Sequence, residues 1–155
     1  MIDKKLFDAC INEDFKKIMK LHKKGHDINS KDDLTGENLL FKMISFDNEK
    51  IASFLIDLGA DVNNSDYGGK TVLMEAVAKN TSLKFVKKLI ENGADLNKTD
   101  NKGGNVLWWA SDNSVALYLK SLGLKIKKKI SHINFQDSSF KDYYIIKTSS
   151  EFNLT

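Results

Sequence analysis

The sequence predicts an all-α solenoid of stacked helix–turn–helix units, and three observations carry that prediction. One motif returns at a fixed interval: Gly25-His26-Asp27-Ile28-Asn29, Gly59-Ala60-Asp61-Val62-Asn63 and Gly93-Ala94-Asp95-Leu96-Asn97, in steps of 34 residues. A second motif keeps time with it: Gly36-Glu37-Asn38-Leu39-Leu40, Gly69-Lys70-Thr71-Val72-Leu73 and Gly103-Gly104-Asn105-Val106-Leu107, in steps of 33 and 34. Between them the apolar residues recur at helical rather than strand spacing. Two motifs sharing one period of 20–50 residues are the mark of a repeat architecture.

Each unit reads as two helices and a loop. Asn38, Thr71 and Asn105 precede apolar runs, where a side-chain oxygen caps a helix N-terminus. The first helices are predicted over 39–46, 72–79 and 106–112. The polar breaks Asp47-Asn48-Glu49 and Asn80-Thr81-Ser82 follow. Second helices are predicted over 50–58 and 83–92, with Ile51, Phe54, Leu55 and Leu58, then Phe85, Val86, Leu89 and Ile90, on one face. Gly59 and Gly93 fall where a left-handed residue ends a helix. Residues 4–30 begin directly with helix, through Leu6, Phe7, Ala9 and Cys10 and then Phe15, Ile18, Met19 and Leu21, as a terminal capping unit does. An eroded copy at Gly123-Leu124-Lys125-Ile126 comes 30 residues after Gly93, so the last unit is short.

This pattern resembles the ankyrin repeat. The resemblance rests on the Gly-Ala-Asp-x-Asn segments and the Asp-x-x-Gly openings at Asp33, Asp66 and Asp100, and covers about residues 4–129. It implies four units over about 4–30, 31–63, 64–97 and 98–129, the first and last as caps, and a capping tail over 130–155. The tail holds a candidate strand at 130–135 and a strand or helix over 140–148. The chain departs from the family's Thr-Pro-Leu-His wording. Leu or Val replaces the proline, and Phe41, Met74 and Trp108 stand where the histidine would be, so packing is expected to replace the loop-stapling hydrogen bonds.

Composition narrows the function. Hydrophobic residues are 41% and charged residues 29% of 155, within the range of a globular domain. No apolar run approaches the 18 residues of a membrane span, and no secretory signal opens the chain. A cytoplasmic protein with no membrane partner is the expectation, with export that uses no such signal left open. The one cysteine, Cys10, agrees with a reducing compartment. All 24 basic residues are lysines, for a net charge of +3. Without arginine the chain lacks the planar fork that reads phosphates and guanine edges, which counts against nucleic acid as a partner.

No catalytic, cofactor or metal site is expected. His22 and His26 are four apart, but Gly25 ends the helix between them and no further ligand completes a set. His132 stands alone. Cys10 reads as a small core residue. Gly68-Gly69 and Gly103-Gly104 are turn glycines without the lysine-serine of a phosphate loop. Lys120, Lys125, Lys127, Lys128 and Lys129 read first as a solvated edge and second as a contact for an acidic partner.

The resemblance implies a non-catalytic module, monomeric when unbound, that binds another protein through hairpin tips and the concave face of the first helices. Carried over residue by residue, the tips supply Leu34, Thr35, Glu37, Tyr67, Lys70, Asn101 and Lys102. The helices supply Ser45, Phe46, Ala78, Lys79, Trp109, Asp112 and Asn113. Leu34, Phe46 and Tyr67 are apolar or aromatic where solvent is expected, as binding anchors are. The alternative is that Phe46 tucks into the break between helices and Tyr67 lies on the neighbouring hairpin. Trp109 either reaches the concave side or packs under the tail. A second function fits the same surface: an inhibitor, such as an immunity protein that neutralises a cognate toxin or enzyme.

Overall fold

A computed structural model of the chain describes residues 1–111 and 113–126. Asp112 and the expected tail, with Lys127 to Lys129 and His132, lie outside the described residues. Seven α-helices and one 3-10 turn follow in order: α1 (Lys4–Ile11), α2 (Phe15–Lys23), α3 (Leu39–Ser45), α4 (Glu49–Asp57), α5 (Val72–Ala78), α6 (Leu83–Glu91), the turn Val106–Trp109, and α7 (Asn113–Ser121). Among the described residues the only β structure is a bridge at the base of each hairpin: Lys31 to Asn38, Ser65 to Thr71 and Thr99 to Asn105. The fold is the all-helical solenoid the sequence predicts.

The helices form two rows. α1, α3, α5 and the 3-10 turn make an inner row, each packed on the next. α4, α6 and α7 follow one another in an outer row, which α2 joins through the edge-to-face rings of Phe15 and Phe54. A continuous apolar core fills the space between, with Leu6, Ile18, Leu39, Leu40, Ile51, Leu55, Leu73 and Leu89 fully buried. Short helices of seven to nine residues are marginal alone, so burial of this shared stripe holds them.

The caps follow the reading in two units and depart from it in the fourth. Asn38 accepts from the Phe41 N–H at 2.9 Å and Thr71 from the Met74 N–H at 3.2 Å. Asn105 makes no such side-chain bond, and the helix expected over 106–112 is a four-residue 3-10 turn. Chain length explains the correction. Val72 to Gly93 spans 21 residue steps, Val106 to Gly123 only 17, and the missing four amount to about one helical turn.

Asparagines stitch the units together. The Asn29 side chain accepts from the backbone N–H of Asp61, and Asn63 does the same for Asp95, each at 2.8 Å. Buried Asn64 accepts from the Asn38 N–H at 2.9 Å and donates to the Gly36 carbonyl at 3.1 Å. Asn38 donates in turn to the Asp61 carbonyl at 3.0 Å. The Asn38 and Asn64 bonds satisfy backbone groups that the hairpins would otherwise bury unpaired.

Candidate protein-binding face

The hairpins stand beside the inner row, and their geometry corrects one register. Asp66 and Asp100 each close a tip by accepting from Gly69 and Gly103 through their carbonyls, at 3.1 and 2.9 Å. In the first tip it is Asp32, not Asp33, whose carbonyl accepts from Gly36, at 2.8 Å. The first tip therefore holds one extra residue, and the surplus pushes Leu34 outward, 88% exposed.

Adjacent tips are bonded to each other. The Tyr67 N–H donates to the Thr35 carbonyl at 2.9 Å and its hydroxyl to the Asp33 carbonyl at 3.1 Å. Its ring lies over Gly36, where a Cβ would come within 2.8 Å of it. Gly36 also has φ +78°, so two requirements for glycine coincide there. Tyr67 thus lies on the neighbouring hairpin and still keeps 66% of its surface exposed. Asn101 repeats the joint one unit on, donating through its backbone to the Gly68 carbonyl and through its side chain to the Tyr67 carbonyl, both at 2.9 Å. Lys102 is exposed at the third tip.

Phe46 closes α3 and meets Phe7 of α1 edge-to-face, with ring centroids 6.2 Å apart. It remains 55% exposed. The half-buried ring of Phe7 packs against the core and borders this face. Ile11, at the end of α1, is also exposed on the inner row.

Glu37, Lys70 and Lys79 of the expected set are engaged within the protein. Lys42 reaches Glu37 and Asp32, each at 3.0 Å. Desolvation weighs against the Lys42 charge, but the Glu37 and Asp32 carboxylates outweigh it and raise its pKa. Lys70 pairs with Glu75, which is 7% exposed, and Ser45 donates to Glu75 at 2.8 Å. The two pairs occupy equivalent places with their signs reversed: acid then base in Glu37 and Lys42, base then acid in Lys70 and Glu75. In the fourth unit Gly104 and Trp109 take those places. The Lys70 ammonium sits 4.3 Å from the Trp109 ring centre, and the indole N–H donates to Asp100 at 3.1 Å. Trp109 is therefore half-buried in a polar ladder. The five-residue spacing of Glu37 to Lys42 and of Lys70 to Glu75 is the signal that could have found the ladder in the sequence. Lys79 pairs with Asp47 across the inner row at 3.1 Å.

No group of three or more His, Cys, Asp or Glu residues that could hold a metal ion occurs among the described residues. His26 meets Asp3 at 2.7 Å instead of a metal partner. Cys10 is fully buried, and burial pushes its thiol up to about 12. No helix among the described residues is long and apolar enough to cross a membrane.

Comparison with known proteins agrees with this geometry. No curated protein matches the chain. The crystal structure of the ankyrin repeat domain of Bcl-3, a member of the IkappaB protein family, is similar to it, with a TM-score of 0.69 and 25% identity. The match covers 74% of this chain and 50% of that one, so this chain spans half the length of its structural relative. A family profile of ankyrin repeats in three copies matches residues 6–100. On the repeats, the fold and that profile, the chain belongs to the ankyrin-repeat family.

Proposed function

We propose that the chain is a non-catalytic module that binds a partner protein through its first two hairpin tips and the adjoining end of the inner row. Ankyrin repeats are generally protein-interaction modules. One observation carries the location. Leu34, Tyr67 and Phe46 stay exposed on a face whose charged groups, Glu37, Lys70 and Glu75, are paired within the protein. Apolar side chains held rigidly in solvent form the anchors that dominate interfaces, while ion pairs already satisfied add little. Tyr67 and Asn101 fix the tips, Phe7 supports Phe46, and Lys79, Lys102 and Trp109 border the face.

The test is co-purification from the source cells with the tagged chain and a Leu34→Ala/Phe46→Ala variant. Both side chains are exposed, so the variant keeps its fold and circular dichroism verifies this. Loss of a stoichiometric partner supports the face, and its undiminished recovery refutes it. Tyr67→Ala is a poorer probe, because it also breaks the joint between tips.

A further inference from the structure

The outer row carries a charge pattern that partner binding at the tips leaves unused. Lys16, Lys17, Lys20, Lys23 and Lys24 are all exposed on and just after α2. At 3.6 residues per turn they fall within an arc of roughly 120°. Among the described residues none of the five ammonium groups has an ion-pair or hydrogen-bond partner. The arrangement is mixed for the helix that bears it: Lys20 and Lys23 in the last turn suit the negative end of its dipole, and the first turn does not. Lys16 and Lys17 stand in its first turn, where the positive end of the helix dipole disfavours cations. Lys16 and Lys20, and Lys20 and Lys24, are like charges four residues apart, a spacing that repels. Lys84 and Lys87 of α6 are exposed on the same row. Carboxylates stand on that row as well, but away from the arc: Asp14 caps α2 by accepting from the Lys17 N–H, Glu49 accepts from Ser82, Asp57 pairs with Lys88, and Glu91 ends α6.

We infer that the α2 face of the outer row is a docking surface for the anionic headgroups of a lipid bilayer, with the tips turned away toward water. The chemistry selects this occupant. Protein interfaces favour arginine and aromatic anchors and are depleted in lysine. Single-stranded nucleic acid calls for exposed aromatic platforms. The five-lysine arc has neither arginine nor an exposed aromatic side chain. A flat anionic leaflet needs only point charges within reach, and clusters of four to eight basic residues on one helix face are its usual counterpart. A contact through headgroups needs no spanning helix.

The experiment is co-sedimentation of the full chain with vesicles of phosphatidylcholine alone and of phosphatidylcholine with phosphatidylserine in a two-to-one ratio. Each lysine near an anionic leaflet strengthens binding about five-fold, so Lys16→Gln/Lys20→Gln/Lys23→Gln weakens it by about a hundred-fold. A control with equal charge loss along the hairpins, at their bases and one tip, Lys31→Gln/Lys98→Gln/Lys102→Gln, should bind as the parent does. The α2 variant should melt close to the parent, because the repulsion it relieves is offset by the last-turn charges it removes. Binding that needs phosphatidylserine, fades with salt and falls only in the α2 variant supports the inference. No sedimentation at low salt, equal losses in both variants, or stronger retention by duplex DNA than by the vesicles overturns it.

Discussion

The third and fourth units begin from nearly the same residues and reach different structures. Val72, Leu73 and Met74 open a seven-residue α-helix capped by Thr71. Val106, Leu107 and Trp108 open a single 3-10 turn, and Asn105, though 3% exposed, leaves its side-chain carbonyl without a partner. The apolar residues keep their place in the core in both, so burial fixes where a unit sits. Whether its first helix forms depends on chain length and on the polar groups that receive its ends. Asn64 of the third unit meets Asn38 of the second, and Lys98 stands at the corresponding place in the fourth unit.

The largest expected effect exploits that contrast. Asn38→Ala removes a buried cap and strands both the Phe41 N–H and the Asp61 carbonyl, a loss of about 2 kcal/mol or more. Asn105→Ala removes one bond, to the Lys125 carbonyl, and should cost about 1 kcal/mol or less. Urea unfolding of the two variants measures the difference. Equal losses would mean that the fourth unit is joined as firmly as the second.

A smaller effect tests the reversed ion pairs. If the second and third units use one site in two polarities, Lys70→Glu/Glu75→Lys should be less destabilising than either single change. The coupling should be about 1 kcal/mol, as suits a partly buried pair. The swap also removes the cation from the Trp109 ring, so indole fluorescence should shift even where stability returns.

Asp3 sets an acid limb at the first unit. Burial alone would raise its pKa, but the Leu6 N–H and then the His26 ring hold it below the ordinary 3.8. A carboxylate depressed in the folded state stabilises above its unfolded pKa and stops doing so as pH falls through the folded one. Stability should therefore drop below about pH 4, and Asp3→Asn should flatten that limb in thermal melts taken across the acid range. The smallest effect is at Cys10. Its buried thiol should react with a disulfide reagent only as fast as the first unit opens, and rapid labelling at neutral pH would show that unit to be loose.

Much of this was legible in the sequence, because periodicity reports which residues face the core. The second helices agree with the reading to within a residue at each end, and Leu34, Phe46 and Tyr67 are exposed where the tips and inner row were expected. What escaped the reading was pairing between tip and first helix within each unit. Glu37 and Lys70 looked free because their partners, Lys42 and Glu75, are set by the turn between tip and helix. Asp33 looked like the opening of its tip because one inserted residue preserved the Asp-x-x-Gly wording while shifting the bonds to Asp32. The meeting of Phe7 with Phe46 was not legible either, because only the placement of α1 against α3 brings the two rings together.

The central claim, that the first two tips and the end of α3 form the binding face, is tested most directly by hydrogen exchange on the chain with its captured partner. The account predicts slowed exchange across residues 32–38 and 65–71 and at the ends of α1 and α3, with the outer row unchanged. Protection confined to α2, α4 and α6 would contradict it.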